Sequence, residues 1–422
     1  MAVLERVLGA VRVMAVREGV VEDGSAERAA YLVIVGVSLC HFLNDVMQSL
    51  LAAIYPLLRD EFSLDFWQIG LMTLVFQVTA SLLQPLIGLY TDKRPVPQSL
   101  PVGMGSTLCG ILLLATASSY PMLLLGASLI GVGSAVFHPE ASRVARLASG
   151  GKYGAAQSFF QVGGNAGSAT GPLLAAFIVV PLGRPSIAWF ALAALLGMVI
   201  LSQVGAWYGR YRRAHAGRVA PLVATGLSRR RVTMAIAVLA ILVATKNFYT
   251  AAITSYYTFF LIERFGLTTQ ESQIMLFVFL GAMAVGVVIG GPIGDRLGPL
   301  WVIWVSILGV LPFTLALPYV DLFWTGVLSV CIGVILASAF PAIIVYAQEL
   351  VPGRVGMIAG LFFGFAFGVG GLAAAGLGFL ADARGIEFVY RICAYLPILG
   401  VLTIFLPRRS RPGRRVVTTA GR

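Results

Sequence analysis

The sequence predicts an all-α membrane protein with twelve transmembrane helices in two pseudo-symmetric six-helix halves. Of its 422 residues, 58% are hydrophobic and only 11% are charged, whereas a soluble protein carries about a quarter charged residues. Apolar runs of roughly 20 residues, enough to cross a bilayer as a helix, recur along the chain. Matching residues also recur: Gly131 matches Gly333 and Gly154 matches Gly356, each 202 positions further on.

The apolar runs divide the chain into two halves, 31–209 and 232–407, of six predicted spans each. A polar linker, 210–231, joins them, and we expect extensions at 1–30 and 408–422. The first extension lacks the pattern of a removable signal peptide. Strict alternation over short segments, which is typical of a membrane β-barrel, is absent. The predicted spans are 31–58, 67–92, 100–119, 121–148, 154–180, 187–209, 232–264, 270–295, 299–318, 321–350, 353–382 and 386–407.

The net charge of +12 comes mainly from segments predicted to lie on one side of the membrane. Basic residues concentrate in the linker and the tail, as the positive-inside rule requires if both termini are cytoplasmic. This distribution favours contact with anionic lipid over binding of nucleic acid. We therefore expect a multi-pass membrane protein with both termini in the cytoplasm. The basic residues of the predicted external loops are Arg59, Arg184, Arg264 and Arg384.

The first span carries four polar residues on one helix face. Their spacing of three and four residues places them side by side. A carboxylate near mid-span is costly unless it is neutralised, so Asp45 is a candidate for carrying a proton, with His41 as its neighbour. A structural hydrogen bond or ion pair is the alternative. The four residues are His41, Asn44, Asp45 and Gln48.

The seventh span carries Lys246, 202 positions after Asn44. A lysine this deep fits an anchor for an anionic substrate, and it also fits a fixed partner for Asp45 across a central cavity. Tyr249 and Tyr257 share its helix face. We therefore predict that Lys246, Tyr249 and Tyr257 bind substrate, together with Gln48 of the first span.

The fifth span carries Gln157, Gln161 and Asn165 in one line along the helix. Three amides are more than one structural hydrogen bond needs, so we interpret the stripe as a cavity wall that binds substrate. Gln77 belongs to a weaker stripe of the same kind in the second span.

The fourth span carries Glu140 three residues before Arg143. This spacing favours a local ion pair or a gate latch over a proton site. Glu140 nonetheless stays among the candidates for proton coupling, as does His138, because a histidine changes charge near neutral pH.

A short motif ends the second and eighth spans. It reads Gly88-Leu-Tyr-Thr-Asp92-Lys93 in one half and Gly291-Pro-Ile-Gly-Asp295-Arg296 in the other. We expect its acid to cap or latch a helix of the opposite half, while its base pairs with the acid or faces lipid. The predicted gating residues are Gly88, Asp92, Lys93, Arg94, Arg143, Asp295 and Arg296.

This motif resembles the signature of the major facilitator superfamily. The first copy departs from the family pattern because Pro95 follows Arg94 where a glycine is usual. Within the superfamily, the chain resembles bacterial fosmidomycin-resistance transporters from about residue 35 to 407. The stretches that carry this likeness are HFLNDVMQSLLAAIYPLL, SLLQPLIGLYTDK, FHPEASRVARLASGGKYGAAQSFFQVGGNAGS and VYAQELVPGRVGMIAGLFFGFAFG.

The resemblance implies a proton-coupled exporter of a small anionic phosphonate in the bacterial inner membrane. The same fold with another solute, such as a sugar, an organic phosphate or an unrelated drug, is the alternative. Neither the four cysteines nor the three histidines have the spacing of a metal site or of an enzyme's catalytic set. We therefore expect no enzyme activity, no metal and no cofactor, and a monomer whose partners are substrate, protons and lipid.

Overall fold

The computed structural model describes residues 24–64, 66–215, 227–267 and 269–407. The elements of these residues are helices. The predictions for most of the N-terminal extension, the middle of the linker and the tail lie outside the described residues.

Twelve spans, numbered here in chain order, form the two halves, and their bounds follow the apolar runs to within a few residues at most ends. Six spans contain more than one helical segment. The helices are Gly24–Ala53 with Tyr55–Phe62 (span 1), Phe66–Lys93 (2), Ser99–Thr116 (3), Tyr120–Ala148 (4), Tyr153–Leu174 with Ala175–Val179 and Val180–Leu182 (5), Arg184–Trp189 with Phe190–Ala214 (6), Arg229–Phe265 (7), Thr269–Leu297 (8), Pro299–Ile307 with Leu311–Ala316 and Leu317–Tyr319 (9), Leu322–Ala337 with Ala339–Leu350 (10), Val355–Arg384 (11) and Ile386–Cys393 with Leu396–Phe405 (12).

Eleven of these helices are long and apolar enough to cross a membrane. The twelfth is span 5, whose helix Tyr153–Leu174 carries the amide stripe and several glycines and is therefore less apolar. Span 5 nevertheless packs along the whole of the first half, where Gly163 contacts Ser38 and Gly171 contacts Ser49 of span 1. Its polarity thus marks a helix of the bundle interior.

The two halves meet closely at one end of the bundle. In span 11, a Cβ on Gly360 would lie 2.4 Å from the carbonyl oxygen of Gln84, and one on Gly364 would lie 2.3 Å from that of Ser81. Further along the same helix, no described atom lies within 4 Å of a Cβ built on Gly368. Spans 2 and 11 therefore touch at one end and separate toward the other.

We call the closed end, where Asp92 and Asp295 lie, the motif end. The other end, where Glu61 and Glu387 lie, is the opposite end. Span 5 also meets span 8 at the motif end, since a Cβ on Gly154 would lie 2.6 Å from the carbonyl oxygen of Gly291. Two pseudo-equivalent helix pairs thus close the same end.

We predict that Gly360→Ala weakens the closure of the motif end, because its methyl group has no room beside span 2. Overpacking of this kind costs about 1–3 kcal/mol. Gly368→Ala in the same helix is the matched control, and it should leave the closure unchanged. Distances between spin labels at Lys93 and Arg354 measure the effect, and equal distances in the two variants would contradict the packing described above.

Candidate functional site

Asp45 lies between two histidines in the middle of the first half. The Nε2 atom of His41 is 3.4 Å from its Oδ2, and the Nε2 atom of His138 is 3.6 Å from its Oδ1. All three residues are buried. Their ligating atoms lie within 4.8 Å of one another, although the sequence spacing of the histidines does not indicate this. Spans 1 and 4 bring them together.

The hydrogen bonds of the two histidines orient both rings toward Asp45. The Nδ1 atom of His41 is 2.8 Å from the carbonyl oxygen of Phe160, and that of His138 is 3.0 Å from that of Ser134. A carbonyl only accepts, so each Nδ1 is the donor. A neutral ring then presents the lone pair of Nε2 to the carboxylate, which repels it. A proton on an Nε2 or on the carboxyl group would turn this contact into a hydrogen bond.

Three further side chains contact the carboxyl group of Asp45. The Asn44 and Gln48 amides donate to Oδ1 at 3.1 Å and 3.0 Å, and the Ser168 hydroxyl donates to Oδ2 at 3.4 Å. Ser168 belongs to span 5 and is exposed. It therefore connects the buried carboxyl group with an exposed position of span 5.

Two glycines of span 5 make room for the cluster. A Cβ on Gly164 would lie 2.4 Å from Nε2 of His41, and one on Gly167 would lie 2.3 Å from the carbonyl oxygen of Phe42. The glycine spacing that the sequence shows in span 5 thus permits the close packing of spans 1 and 5 around Asp45.

Lys246 is buried on span 7, with 9% of its surface exposed. Its ammonium group lies 5.2 Å from the centre of the Phe340 ring. Among the described residues, no carboxylate lies within ion-pair distance of it, and Asp45 pairs with His41 and His138 instead. The alternative in which Lys246 is the fixed partner of Asp45 is therefore wrong for this state of the protein.

Aromatic rings from the second half stand between the acid cluster and the lysine. The centre of the Phe363 ring is 5.1 Å from that of His138 and 5.2 Å from that of Phe340. Sequence reasoning missed both phenylalanines, although the repeat contains a signal: Phe340 lies 202 positions after His138. The second copy thus has an apolar ring where the first has a titratable one.

The amide stripe of span 5 extends from the motif end toward the cavity. The Gln157 carbonyl accepts from Ser142 at 2.9 Å, and the Gln161 amide donates to Asn165 at 3.4 Å. The side chain of Gln77 lies 3.7 Å from a Cβ built on Gly371 of span 11, at the level where the halves separate. Substrate contact by these residues stays a prediction.

The two predicted tyrosines lie within the second half. Tyr249 and Tyr257 are 2% and 0% exposed, and they pack in an apolar cluster with Phe260 and Tyr390. The helix face that they share with Lys246 thus turns into the core of this half. Their contact with substrate also stays a prediction.

The two motif aspartates cap helices of the opposite half. Asp92 accepts from the backbone N–H groups of Gly356 at 3.0 Å and Met357 at 2.8 Å. Asp295 accepts from those of Gly154 and Ala155, both at 2.8 Å. A carboxylate at a helix N-terminus satisfies free N–H groups and the helix dipole. This is the predicted geometry, and the gating role itself stays a prediction.

A buried ion pair supports the first latch, the cap that Asp92 forms. Arg143 donates to Asp92 at 2.6 Å and also pairs with Glu140. In the second half, Ala342 and Val345 stand 202 positions after Glu140 and Arg143. Lys93 is exposed, so the cation paired with Asp92 comes from span 4 and not from the motif. Arg94 and Arg296 are exposed as well.

The model of the Major Facilitator Superfamily matches residues 37–375. The chain belongs to this superfamily. It is 58% identical over 389 residues to the fosmidomycin resistance protein of Escherichia coli (strain K12), covering 92% of this chain and 96% of that protein. It is 40% identical over 381 residues to YfnC, an uncharacterised MFS-type transporter of Bacillus subtilis (strain 168), covering 89% and 93%.

Solved structures of other major facilitator proteins share the fold. FucP in its outward conformation has a TM-score of 0.69 at 16% identity, covering 90% of this chain and 100% of that one. The human organic anion transporter MFSD10 has a TM-score of 0.69 at 15% identity, covering 90% and 99%. At these identities the likeness concerns the fold alone. The chain is thus a multi-pass membrane transporter for a small molecule and not an enzyme.

In this major facilitator protein, several buried polar atoms of the centre have no hydrogen-bond partner among the described residues. Two are acceptors of the first half, and two are on span 7 in the second half. Buried polar groups are normally paired, so unpaired ones are candidates for contact with a ligand. Sequence reasoning gave no role to Asn247, although it lies 202 positions after Asp45. The atoms are Asn44 Oδ1, Gln161 Oε1, Asn247 Nδ2 and Thr250 Oγ1.

We predict that the two latches differ in strength. Asp92→Asn leaves Arg143 with one acid and weakens both backbone hydrogen bonds that Asp92 accepts. The expected loss of stability is roughly 3 kcal/mol, the cost of a broken buried pair. Asp295→Asn loses charge only at an exposed cap, which costs about 1 kcal/mol. Thermal unfolding in detergent, together with the labelling distance at the motif end, measures both. Equal effects of the two variants would refute the asymmetry.

Proposed function

We propose that this transporter is a proton-coupled exporter of small anionic drugs, in particular fosmidomycin-like phosphonates, and works by alternating access. The observation that carries the proposal is the separation of two charges at the centre. Asp45 sits in a cluster where an added proton would complete a hydrogen bond, whereas no acid of the described residues pairs with the buried cation Lys246. The first is suited to bind protons, and the second is suited to bind an anion.

Lys246 supports an anionic substrate because a buried charge without a partner is costly. A bound phosphonate would supply the missing negative charge at Nζ. Asn247 and Thr250, on the same helix, can donate hydrogen bonds to its oxygens. Asn44 and Gln161 have unpaired carbonyl oxygens, which suit the hydroxyl group of a hydroxamate. The two halves thus offer complementary groups to a molecule with an anionic end and a donor end.

The cluster of His41, Asp45 and His138 supports proton coupling. It is buried, yet its carboxyl group accepts a hydrogen bond from the exposed Ser168 hydroxyl, which offers a route for the proton. A proton taken up from the opposite end would neutralise Asp45 before the halves rock. Glu140 is tied into an ion pair with Arg143 and fits a latch better than a proton carrier.

We assign the motif end to the cytoplasm because the predicted linker and tail, with their arginines, follow spans that end there. The two termini are then cytoplasmic as well, and the protein works as a monomer in the inner membrane. In this assignment the structure is closed toward the cytoplasm and open to the outside, the state in which an exporter releases its substrate.

A carrier of another small solute with the same fold is the second candidate. The identity of 58% to a protein named for fosmidomycin resistance favours the drug. Uptake of radiolabelled fosmidomycin into everted vesicles, compared with a sugar phosphate, separates the two candidates.

We predict that Asp45→Asn abolishes uphill export driven by a proton gradient and leaves downhill exchange in place. The amide keeps the hydrogen bonds of the site but cannot carry a proton between the two sides. Everted vesicles with an imposed gradient measure uphill transport, and counterflow of labelled fosmidomycin measures exchange.

Asp60→Asn, which changes an exposed carboxylate near the opposite end, is the control for this variant and should transport normally. Full fosmidomycin resistance in a sensitive strain expressing Asp45→Asn would remove Asp45 from the coupling mechanism.

We predict that Lys246→Ala weakens phosphonate binding by tenfold or more, since one charge-assisted contact contributes about 1.5–3 kcal/mol. Lys246→Arg keeps the charge and should retain part of the affinity. Arg229→Ala, which removes an exposed cation from the same helix, is the control. Titration calorimetry on the purified protein gives the affinities, and an unchanged dissociation constant for Lys246→Ala would place the anion elsewhere.

A further inference from the structure

At the opposite end of the bundle, each half contains one ion pair that links two of its helices, which we call a staple. The Nε atom of Arg184 is 2.8 Å and 2.9 Å from the two carboxylate oxygens of Glu61. The Nη1 atom of Arg264 is 3.0 Å from Oε1 of Glu387. In each half, the pair joins the end of the first span to the start of the last.

The repeat relates these pairs to each other with their charges exchanged. Arg264 stands 203 positions after Glu61, and Glu387 stands 203 positions after Arg184. The same offset relates Asp92 to Asp295, whose charges agree. The acid is thus on the first span of one half and on the last span of the other.

This exchange makes the two halves complementary at the opposite end. Spans 1 and 7 are pseudo-equivalent, and they carry Asp45 and Lys246 to the centre of the bundle, so a motion that closes the opposite end would bring their ends together. With equal polarity, like charges would meet there when the halves approach. With exchanged polarity, Glu61 meets Arg264.

We propose that Glu61 and Arg264 form an ion pair between the halves when the opposite end closes. The proposal rests on the alternating access of the proposed function. It assigns a gate to the opposite end, as the counterpart of the latches at the motif end. It adds Glu61 and Arg264 to the residues that position the halves during transport.

The contacts of the four residues permit this exchange of partners. The Nε atom of Arg264 is buried and has no partner in the described residues, so a second carboxylate would satisfy it. Glu387 keeps a hydrogen bond from Arg391 at 3.1 Å. Arg184 keeps the carbonyl oxygens of Leu114 and Ala115 at 3.0 Å and 2.9 Å. Arg184 would then keep hydrogen-bond acceptors without an acid, and Glu61, at 40% side-chain exposure, lies where solvent can compensate the exchange.

The test is the double variant Glu61→Arg with Arg264→Glu beside its two single variants. Each single variant places like charges on spans 1 and 7 and should lower fosmidomycin export about fivefold, the factor of one partly exposed ion pair. The double variant restores opposite charges between the halves while it breaks both staples within them. We expect its transport to return to within about twofold of the unmodified chain.

A double variant that transports less than both single variants would overturn the proposal, because the pairs would then be only staples within each half. Cross-linking decides the point independently of the substrate. Cysteines at positions 61 and 264, joined by a short bifunctional reagent in membranes, should cross-link and stop transport, with each single-cysteine variant as control for the native thiols. Failure to cross-link would also overturn the proposal. If the unmodified chain exports no fosmidomycin, the proposed function fails, while the cross-link still tests the gate.

Discussion

The centre of this transporter depends on keeping one buried acid apart from one buried base. In an apolar bundle, Asp45 and Lys246 would attract each other strongly and lock the halves together. The structure instead gives Asp45 two histidines from its own half and places the rings of Phe340 and Phe363 between it and the lysine. The two charges are therefore unpaired with each other, as the proposed exchange of a proton for an anion requires.

The sequence duplication places equivalent helices and helix caps around this centre. Asp92 and Asp295 lie in equivalent places, where each carboxylate caps a helix of the other half. These caps join the halves through a few hydrogen bonds beside close glycine contacts, and in the proposed mechanism they open together. The central positions differ between the two copies of the repeat, so pseudo-symmetric helices surround an asymmetric centre.

Much of the fold could be predicted from the sequence, since run length, glycine spacing and charge distribution report directly on helices in a membrane. The face that joins His41 and Asp45 followed from helical spacing. The place of His138 beside them did not, because it depends on how spans 1 and 4 pack. The partner of Asp92 was also missed: the adjacent Lys93 is exposed, and Arg143 reaches the acid from another helix. Contacts between helices are set by packing, which local patterns do not encode.

The central claim is that protons move inward as a phosphonate moves outward. The most direct measurement uses purified protein in liposomes loaded with fosmidomycin and a trapped pH-sensitive dye. The account predicts that exit of the drug acidifies the lumen and that a proton ionophore abolishes the pH change. Exit of the drug with no pH change, or with an alkaline shift of the lumen, would contradict it.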